Sequence, residues 1–377
     1  MQSENKRATR AVIHLDRIVH NLDCIKSLTS GNQKICIAVK ADAYGHGALQ
    51  VSRKALEWGV DFLAVATVNE GRLLREGGIT APVLLFGFAL DEEINDIVKY
   101  DLTPFVGDVH YVEKLNKEAH KLGVVLNVHL KIDTGMGRIG VTPDEALPLA
   151  ELLGTMKNLK MGGICTHLPV SDSSSTDDVR FTREQINLFA KTVKTLKNSG
   201  IDPGIVHAAN SGAIIAYPEA HFDMVRPGIC LYGYYPDPGM KKSVEFRPVM
   251  DFISKLTFLK RVKKGTAISY GRTWEAPRDT WIATVPAGYA DGYNRMLSSR
   301  GRVLVNGKSC PVAGRVCMDQ FMIDLGDETE AALYDDVLLF GSQEGSLSAA
   351  DIAAIAGTIP YEITCNINKR VPRDYKE

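Results

Sequence analysis

The stretch IAVKADAYGHG, Ile37 to Gly47, ends a short apolar run on a lysine and then turns through a tyrosine and Gly-His-Gly. A run with no polar alternation reads as a strand buried on both faces, as in parallel sheets. Lys40 then stands at its C-terminal end. A lysine there can snorkel to water along its own stem, or it can be aimed at a ligand. The rest of the chain decides between the two.

Similar β-branched runs recur at 35–39, 61–67, 82–87, 103–106, 124–132, 159–167, 205–208 and 222–225. Helical patterns separate most of them. From Asp108 to Leu122, Val112, Leu115, Ala119 and Leu122 recur at helical spacing, with Asp108 as N-cap and Gly123 as stop. Thr182 and Gln185 have capping-box spacing ahead of an apolar face of Ile186, Phe189, Val193 and Leu196. About eight strand–helix units argue for an α/β fold with a parallel sheet covered by helices, and eight is the number that closes a TIM-like (β/α)8 barrel. A doubly wound open sheet alternates in the same way. The barrel is favoured because polar residues of interest follow so many different strands. After about residue 245 the pattern changes to short alternating runs. Asn306-Gly307 between apolar residues signals a hairpin, and one short helix is expected from Ser348 to Ala356. The predicted organisation is a barrel over 11–240 and a mainly β C-terminal domain over 245–375, joined near Pro236–Gly239. The polar run SDSSSTDD, Ser171 to Asp178, reads as a surface loop.

The 377 residues carry a formal net charge of -1, so no global field recruits nucleic acid or an anionic membrane. No apolar stretch is long enough to span a bilayer, and the N-terminus lacks the apolar segment of a secretory signal. The 7 cysteines (Cys24, Cys36, Cys165, Cys230, Cys310, Cys317 and Cys365) are scattered and form no C-x-x-C. That spacing argues against a disulfide framework or a metal site and fits reduced thiols in the cytoplasm.

Barrel chemistry gathers where the strands end. Here the ends carry Lys40 and Tyr44, then Lys131, Asp133 and Arg138, then His167, then His207, Asn210 and Ser211, then Arg226 and Gly228. These residues suit an anionic, aromatic ligand. A desolvated lysine is a nucleophile toward aldehydes. With phosphate-binding groups nearby, pyridoxal phosphate is the natural candidate, Gly228 offering an N–H and Ser211 a hydroxyl.

The stretches AVKADAYGHG, KIDTGMGRIG, HAANSGA, MVRPGICLYG, SYGRTW, VPAGYADGYNR, AGRVCMDQFMIDLG and YEITCNINKRVPR together resemble the alanine racemase family, in order, from about residue 11 to residue 373. The resemblance implies a pyridoxal-phosphate barrel followed by a β domain, working as a head-to-tail homodimer with shared active sites. It implies Lys40 as the covalent anchor of the cofactor. Tyr44, Tyr361, Asn210, Ser211, Gly228 and Ile229 match its phosphate cradle. Arg226 matches the residue that meets the pyridine nitrogen. An arginine is always cationic and only donates, so that nitrogen stays unprotonated, which favours racemisation over transamination. Lys40 and Tyr270 match the two bases, one for each face of Cα, with Tyr270 delivered by the partner subunit. A free tyrosine has a pKa near 10, and His167 is the implied modulator. Arg138, Met318, Tyr289 and Asp319 match the substrate's surroundings, with Cys317 near them. Tyr289 and Tyr361 also match a narrow gate. Lys131 matches a lysine that is carbamylated in many relatives; a salt bridge from Lys131 to Asp133 is the alternative. The implied activity is interconversion of L- and D-alanine, supplying D-alanine for peptidoglycan. Other readings are a racemase for serine or a broader set of amino acids, a decarboxylase on a similar barrel, and a cofactor carrier. Arg226 speaks against the decarboxylase, and the second domain against the carrier.

Overall fold

The computed structural model describes residues 7–377. The chain divides into two compact units. The barrel unit comprises Ile18–Ala43 and Ala48–Phe246; the β unit comprises the N-terminal residues through Arg17, Tyr44–Gly47 and Arg247–Glu377.

Eight parallel strands follow one another around the barrel unit: Lys34–Ala38, Phe62–Val65, Val83–Leu85, Leu102–Val106, Leu126–Lys131, Leu159–Cys165, Ile205–His207 and Met224–Val225. The last pairs with the first, Lys34 opposite Met224 and Ile35 opposite Val225. Backbone hydrogen bonds from Asp223 N to Val206 O and from Arg226 N to Ala209 O bridge the seam between the seventh and eighth strands, 2.9 Å each. The open sheet is thereby excluded and the (β/α)8 reading holds. Cys36, Ala64, Leu84, Phe105, Cys165 and Met224 meet in one buried cluster, each from a different strand, which is how a barrel interior fills with side chains.

The helices show why the sequence folds this way locally. Helix Val109–Leu122 starts at Asp108, whose carboxylate accepts the Tyr111 N–H, and stops at Gly123 in the left-handed region at φ 67°. Val112, Leu115 and Ala119 are buried, whereas Leu122 is exposed on the last turn. Helix Thr176–Asn198 begins earlier than the capping-box spacing of Thr182 and Gln185 suggests. Ser175 is the cap, accepting from Asp178 N, and both Thr182 and Gln185 are buried on the inner face beside Ile186, Phe189, Val193 and Leu196. The polar run before it is only partly a surface loop, because Ser171 is buried and donates to Asn210 Oδ1 at 2.7 Å.

The β unit holds a six-stranded sheet in the order Lys308–Pro311, Arg302–Val305, Asp336–Phe340, Met250–Lys255, Arg10–His14, Arg373–Lys376. The expectation placed residue 11 onward in the barrel; Arg10–His14 instead pairs antiparallel with Met250–Lys255 and parallel with Arg373–Lys376. A second sheet joins Phe258–Val262, Thr280–Val285 and Phe321–Gly326. The hairpin turn at Asn306 (φ 47°) and Gly307 (φ 76°) has both central residues at positive φ, as a type I′ turn requires. The expected short helix is Ala349–Ala356, capped by Ser348 in a reciprocal capping box with Asp351. All 7 cysteines are free thiols. No helix among the described residues is long and apolar enough to cross a membrane.

Asp108→Ala removes a side-chain cap and should lower unfolding free energy by about 1 kcal/mol. Asp108→Asn should retain most of it. Urea unfolding of the three proteins checks this, and equal midpoints would show that the cap contributes nothing.

Candidate functional site in the barrel mouth

Lys40 follows the first strand directly. The backbone then makes a left-handed turn in residues that are not glycine: Ala41 (φ 51°, ψ 47°), Asp42 (φ 54°, ψ 49°) and Ala43 (φ 54°, ψ 51°), continued by Tyr44 at φ 53°. Each L-residue in this region costs about 1–2 kcal/mol, so the turn must be held from outside. The Glu70 carboxylate accepts the Ala41 N–H at 2.7 Å, and Asp42 Oδ1 accepts the Ala48 N–H at 2.8 Å. Glu70 also closes the capping box of helix Val68–Glu76 with Thr67. One carboxylate thus fixes both a helix start and the backbone that follows Lys40. Sequence reasoning assigned the turn to the glycines and missed Glu70, although Thr67 and Glu70 have capping-box spacing. Gly45 is required for a different reason: at φ +85° a Cβ would stand 2.1 Å from the Thr364 carbonyl oxygen within the β unit.

Arg226, after the eighth strand, is only 6% exposed. It donates to Thr166 O at 2.8 Å, to Ala208 O at 2.9 Å and to His207 Nδ1 at 2.8 Å. No carboxylate among the described residues pairs with it. Because a guanidinium can only donate, His207 must accept at Nδ1 and carry its proton on Nε2. That proton reaches His129 Nδ1, 2.8 Å away, so His129 is protonated on Nε2. Burial, then the charge of Arg226, lowers the pKa of both rings: His129 to about 3 and His207 well below the usual value.

His167, after the sixth strand, is also held neutral. Burial is the larger cause, and the charges of Arg226, Lys131, Arg138 and Lys40 add to it. Four cations therefore act on one point in the mouth. Lys131 is 3% exposed, and burial brings its pKa down to about 8. It makes no salt bridge to Asp133; its Nζ lies 5.8 Å from the Phe105 ring centre instead. For Asp133, burial pushes the carboxyl up, but N–H donors from Gly135, Gly137 and Met136, with the Lys131 charge, hold it below the carboxylate range. Those bonds shape the loop that carries exposed Arg138.

The seventh and eighth strands end in a set of donors. Gly228 N–H and Cys230 N–H both donate to Ser211 Oγ, at 2.9 and 3.4 Å. The Ser211 hydroxyl proton is left to give to an acceptor. Asn210 spends its side chain on structure: Oδ1 accepts from Ser171 Oγ and Ala213 N, and Nδ2 donates to Leu168 O. Ile229 opens the short turn Ile229–Tyr232 beside Gly228.

The β unit gathers the remaining residues. The rings of Tyr44 and Tyr361 lie 5.8 Å apart. Tyr270 is 73% exposed, between Ser269 (φ 69°) and Gly271 (φ 70°), with Arg272 at φ 50°. Ser269 Oγ donates to Arg315 O at 2.7 Å, which pins this contorted turn. Tyr289 N and Ala290 N donate to the carbonyls of Cys317 and Met318, 3.1 Å each. Gly288 allows that approach, since a Cβ there would lie 2.2 Å from Met318 O. Fully buried Asp291 accepts the Gly288 N–H at 3.0 Å and pairs with Arg7 and with Arg370 Nε (2.6 Å). Arg370 also reaches Asp319 at 2.8 Å. Asp291 and Arg370 thus brace the segment holding Tyr289, Met318 and Asp319. Both lie in stretches the sequence singled out, but their role depends on contacts far apart in the chain.

A lysine at a barrel mouth, a buried arginine with no acid partner, and an array of donors define a barrel enzyme for a small anionic ligand. The comparisons with known proteins make this specific. Family models described as alanine racemase, N-terminal domain, and alanine racemase, C-terminal domain, match residues 13–236 and 249–375. The chain is 48% identical to the alanine racemase of Treponema denticola over 371 residues, covering 97% of this chain and 98% of that protein. Among solved structures, the alanine racemase of Clostridium difficile superposes with a TM-score of 0.94 at 40% identity, covering 99% of this chain and 97% of the other. The alanine racemase of Bacillus anthracis with bound L-Ala-P gives a TM-score of 0.92 at 36% identity, covering 100% and 96%. The chain belongs to the alanine racemase family.

The neutral histidines give stability a pH dependence. The unfolded chain protonates histidine below about pH 6.5, while the native barrel keeps His129, His167 and His207 neutral. The unfolded state binds more protons, so stability is present above pH 6.5 and is lost as pH falls toward 3. Each ring contributes up to about 1.4 kcal/mol per pH unit in that window. Urea midpoints at pH 7.0 and 5.5 should fall accordingly; equal midpoints would show that the rings are charged in the native state.

Proposed function

We propose that the protein interconverts L- and D-alanine with pyridoxal phosphate as cofactor, as a homodimer in which the β unit of one subunit completes the barrel mouth of the other. The carrying observation is Arg226: a buried cation with no carboxylate partner among the described residues, in a mouth where Lys40, Lys131 and Arg138 add further positive charge. The donor set fits the cofactor. Lys40 offers an amine for its aldehyde. Ser211 offers a hydroxyl proton, with the neighbouring Ile229 backbone, Tyr44 and Tyr361 completing a phosphate cradle. Gly228 and Asn210 serve that cradle indirectly, through Ser211 and through the turn that presents it. Arg226 offers only N–H donors to the ring nitrogen. When bound, pyridoxal phosphate supplies an aldehyde that captures the substrate amine and a ring that acidifies its Cα–H.

The chain's own residues then divide the work. Lys40 takes or gives the Cα proton on one face. Tyr270 of the partner subunit does so on the other, taking it from L-alanine. The exposure of Tyr270 on a pinned turn supports this role, since a base for another subunit must be presented outward. Its acidity needs help, because an ordinary phenol is too weak a base at neutral pH. A neutral His167 can accept a hydrogen bond from that hydroxyl and orient it. Arg138 holds the substrate carboxylate with the Met318 N–H; burial of Lys131 favours its neutral amine, the form that reacts with carbon dioxide to give a carbamate, and that anion would steady Arg138. Tyr289, Tyr361 and Asp319 narrow the approach to a methyl-sized substrate. Exclusion discriminates by only about 1–3 kcal/mol per methylene, so slow turnover of serine is expected. The D-alanine would serve peptidoglycan synthesis.

In the holoenzyme, Tyr270→Phe should slow net racemisation equally in both directions, because the enantiomers have equal energy. Exchange of the Cα hydrogen with solvent should separate the faces. D-alanine should still exchange through Lys40, and L-alanine should not. Rapid exchange from L-alanine in that variant would overturn the assignment of the two bases. A purified protein that takes up pyridoxal phosphate but leaves alanine untouched would remove alanine as substrate.

A further inference from the structure

His129 is a buried polar group that the proposed reaction leaves unused. It sits in an aromatic box, with Phe62 and Phe105 ring centres 6.4 Å away on two sides. Its ring is buried, and an apolar side chain would suit those surroundings. The barrel is instead altered to admit an imidazole. The pairing of the fifth and sixth strands shifts register between Val128 and His129. The facing strand carries Gly162-Gly163, and a Cβ on Gly163 would stand 2.7 Å from His129 Nδ1 and Cε1 and equally close to the Ile205 carbonyl oxygen. A bulge and strand glycines both weaken a sheet, and bulges recur beside active sites. What they admit is a single polar contact, His129 Nδ1 to His207 Nε2 at 2.8 Å, and His207 in turn meets Arg226.

We propose that His129 is a positioning residue for Arg226: by accepting the Nε2 proton of His207, it fixes that ring with Nδ1 toward the guanidinium and holds Arg226 in one orientation. Without His129, the Nε2–H of His207 is a buried donor with no acceptor, and a ring turn or tautomer change relieves it at the expense of the bond to Arg226. The remaining proton of His129, on Nε2, lies on the side of Gly162, where a Cβ would stand 3.5 Å from that nitrogen. The consequence for catalysis rests on the proposed cofactor reading, in which Arg226 meets the ring nitrogen; the histidine chain itself does not.

The test uses ¹⁵N-histidine NMR of the apoprotein, then visible absorption and kinetics of the protein loaded with pyridoxal phosphate. Wild type should show His207 protonated on Nε2 and unprotonated on Nδ1. His129→Leu should lose that signature, shift the visible band or its pH response, and lower kcat for alanine about tenfold, with KM within about twofold. His129→Gln, whose amide oxygen can accept from His207, should restore all three to within about twofold of wild type. A His207 proton on Nδ1 in wild type overturns the proposal even if no variant folds. So does a His129→Leu protein with unchanged NMR signature and band. If wild type takes up no pyridoxal phosphate, the cofactor reading fails, and the apoprotein spectra still decide whether His129 holds His207.

Discussion

Arg226 is a full positive charge taken out of water, and much of the barrel's interior chemistry answers to it. Burying a cation without a counter-ion costs several kcal/mol unless its protons are accepted. Here two backbone carbonyls and one imidazole accept them. A carboxylate would have been the simpler partner. Its exclusion keeps the local potential positive, which adds to burial in holding three nearby histidines neutral. The same field makes the mouth attractive to a phosphate and a carboxylate at once. A stability cost and a ligand preference therefore come from one arrangement.

The β unit solves a different problem, which is presentation. Side chains at a barrel's strand ends are placed by the sheet. Tyr270 has no such frame, and its turn is fixed by positive φ values and by one serine hydroxyl bonded to Arg315 O. Asp291 performs the equivalent task for Tyr289 and Met318 by drawing Gly288 and Arg370 onto one buried carboxylate. In both places a strained or crowded backbone is held by a small number of charged or polar contacts, as is common at functional sites.

Much of this was legible in the residues. The eight apolar runs became the eight strands because a strand buried on both faces leaves a signal that needs no partner to recognise. The Asp108 and Ser348 caps and the Asn306-Gly307 turn were legible for the same reason, since each is a local backbone requirement. The Thr182–Gln185 spacing misled because a capping box and a buried polar pair look alike until burial is known. The left-handed turn at Ala41–Ala43 was hidden, as alanine gives no hint of positive φ and the holding carboxylate is Glu70. The Lys131–Asp133 bridge was a reasonable inference from proximity in sequence, but the Gly-rich loop satisfies Asp133 first. The strand Arg10–His14 was placed with the barrel because its partners lie more than two hundred residues away. Of the site, the residue types were legible and the chain from Arg226 through His207 to His129 was not, because each of its bonds joins residues far apart in the sequence.

That first strand also sets the order in which the protein can be completed. Arg10–His14 is inserted between Met250–Lys255 and Arg373–Lys376, so it waits for two segments made long after it. The barrel strands, by contrast, pair mainly with their successors and can assemble as they emerge. Pairing across such sequence separation is slow, because the loop must close before any contact rewards it. During synthesis this strand therefore stays unpaired until Met250–Lys255 has been made, and its other edge is covered only when Arg373–Lys376 follows.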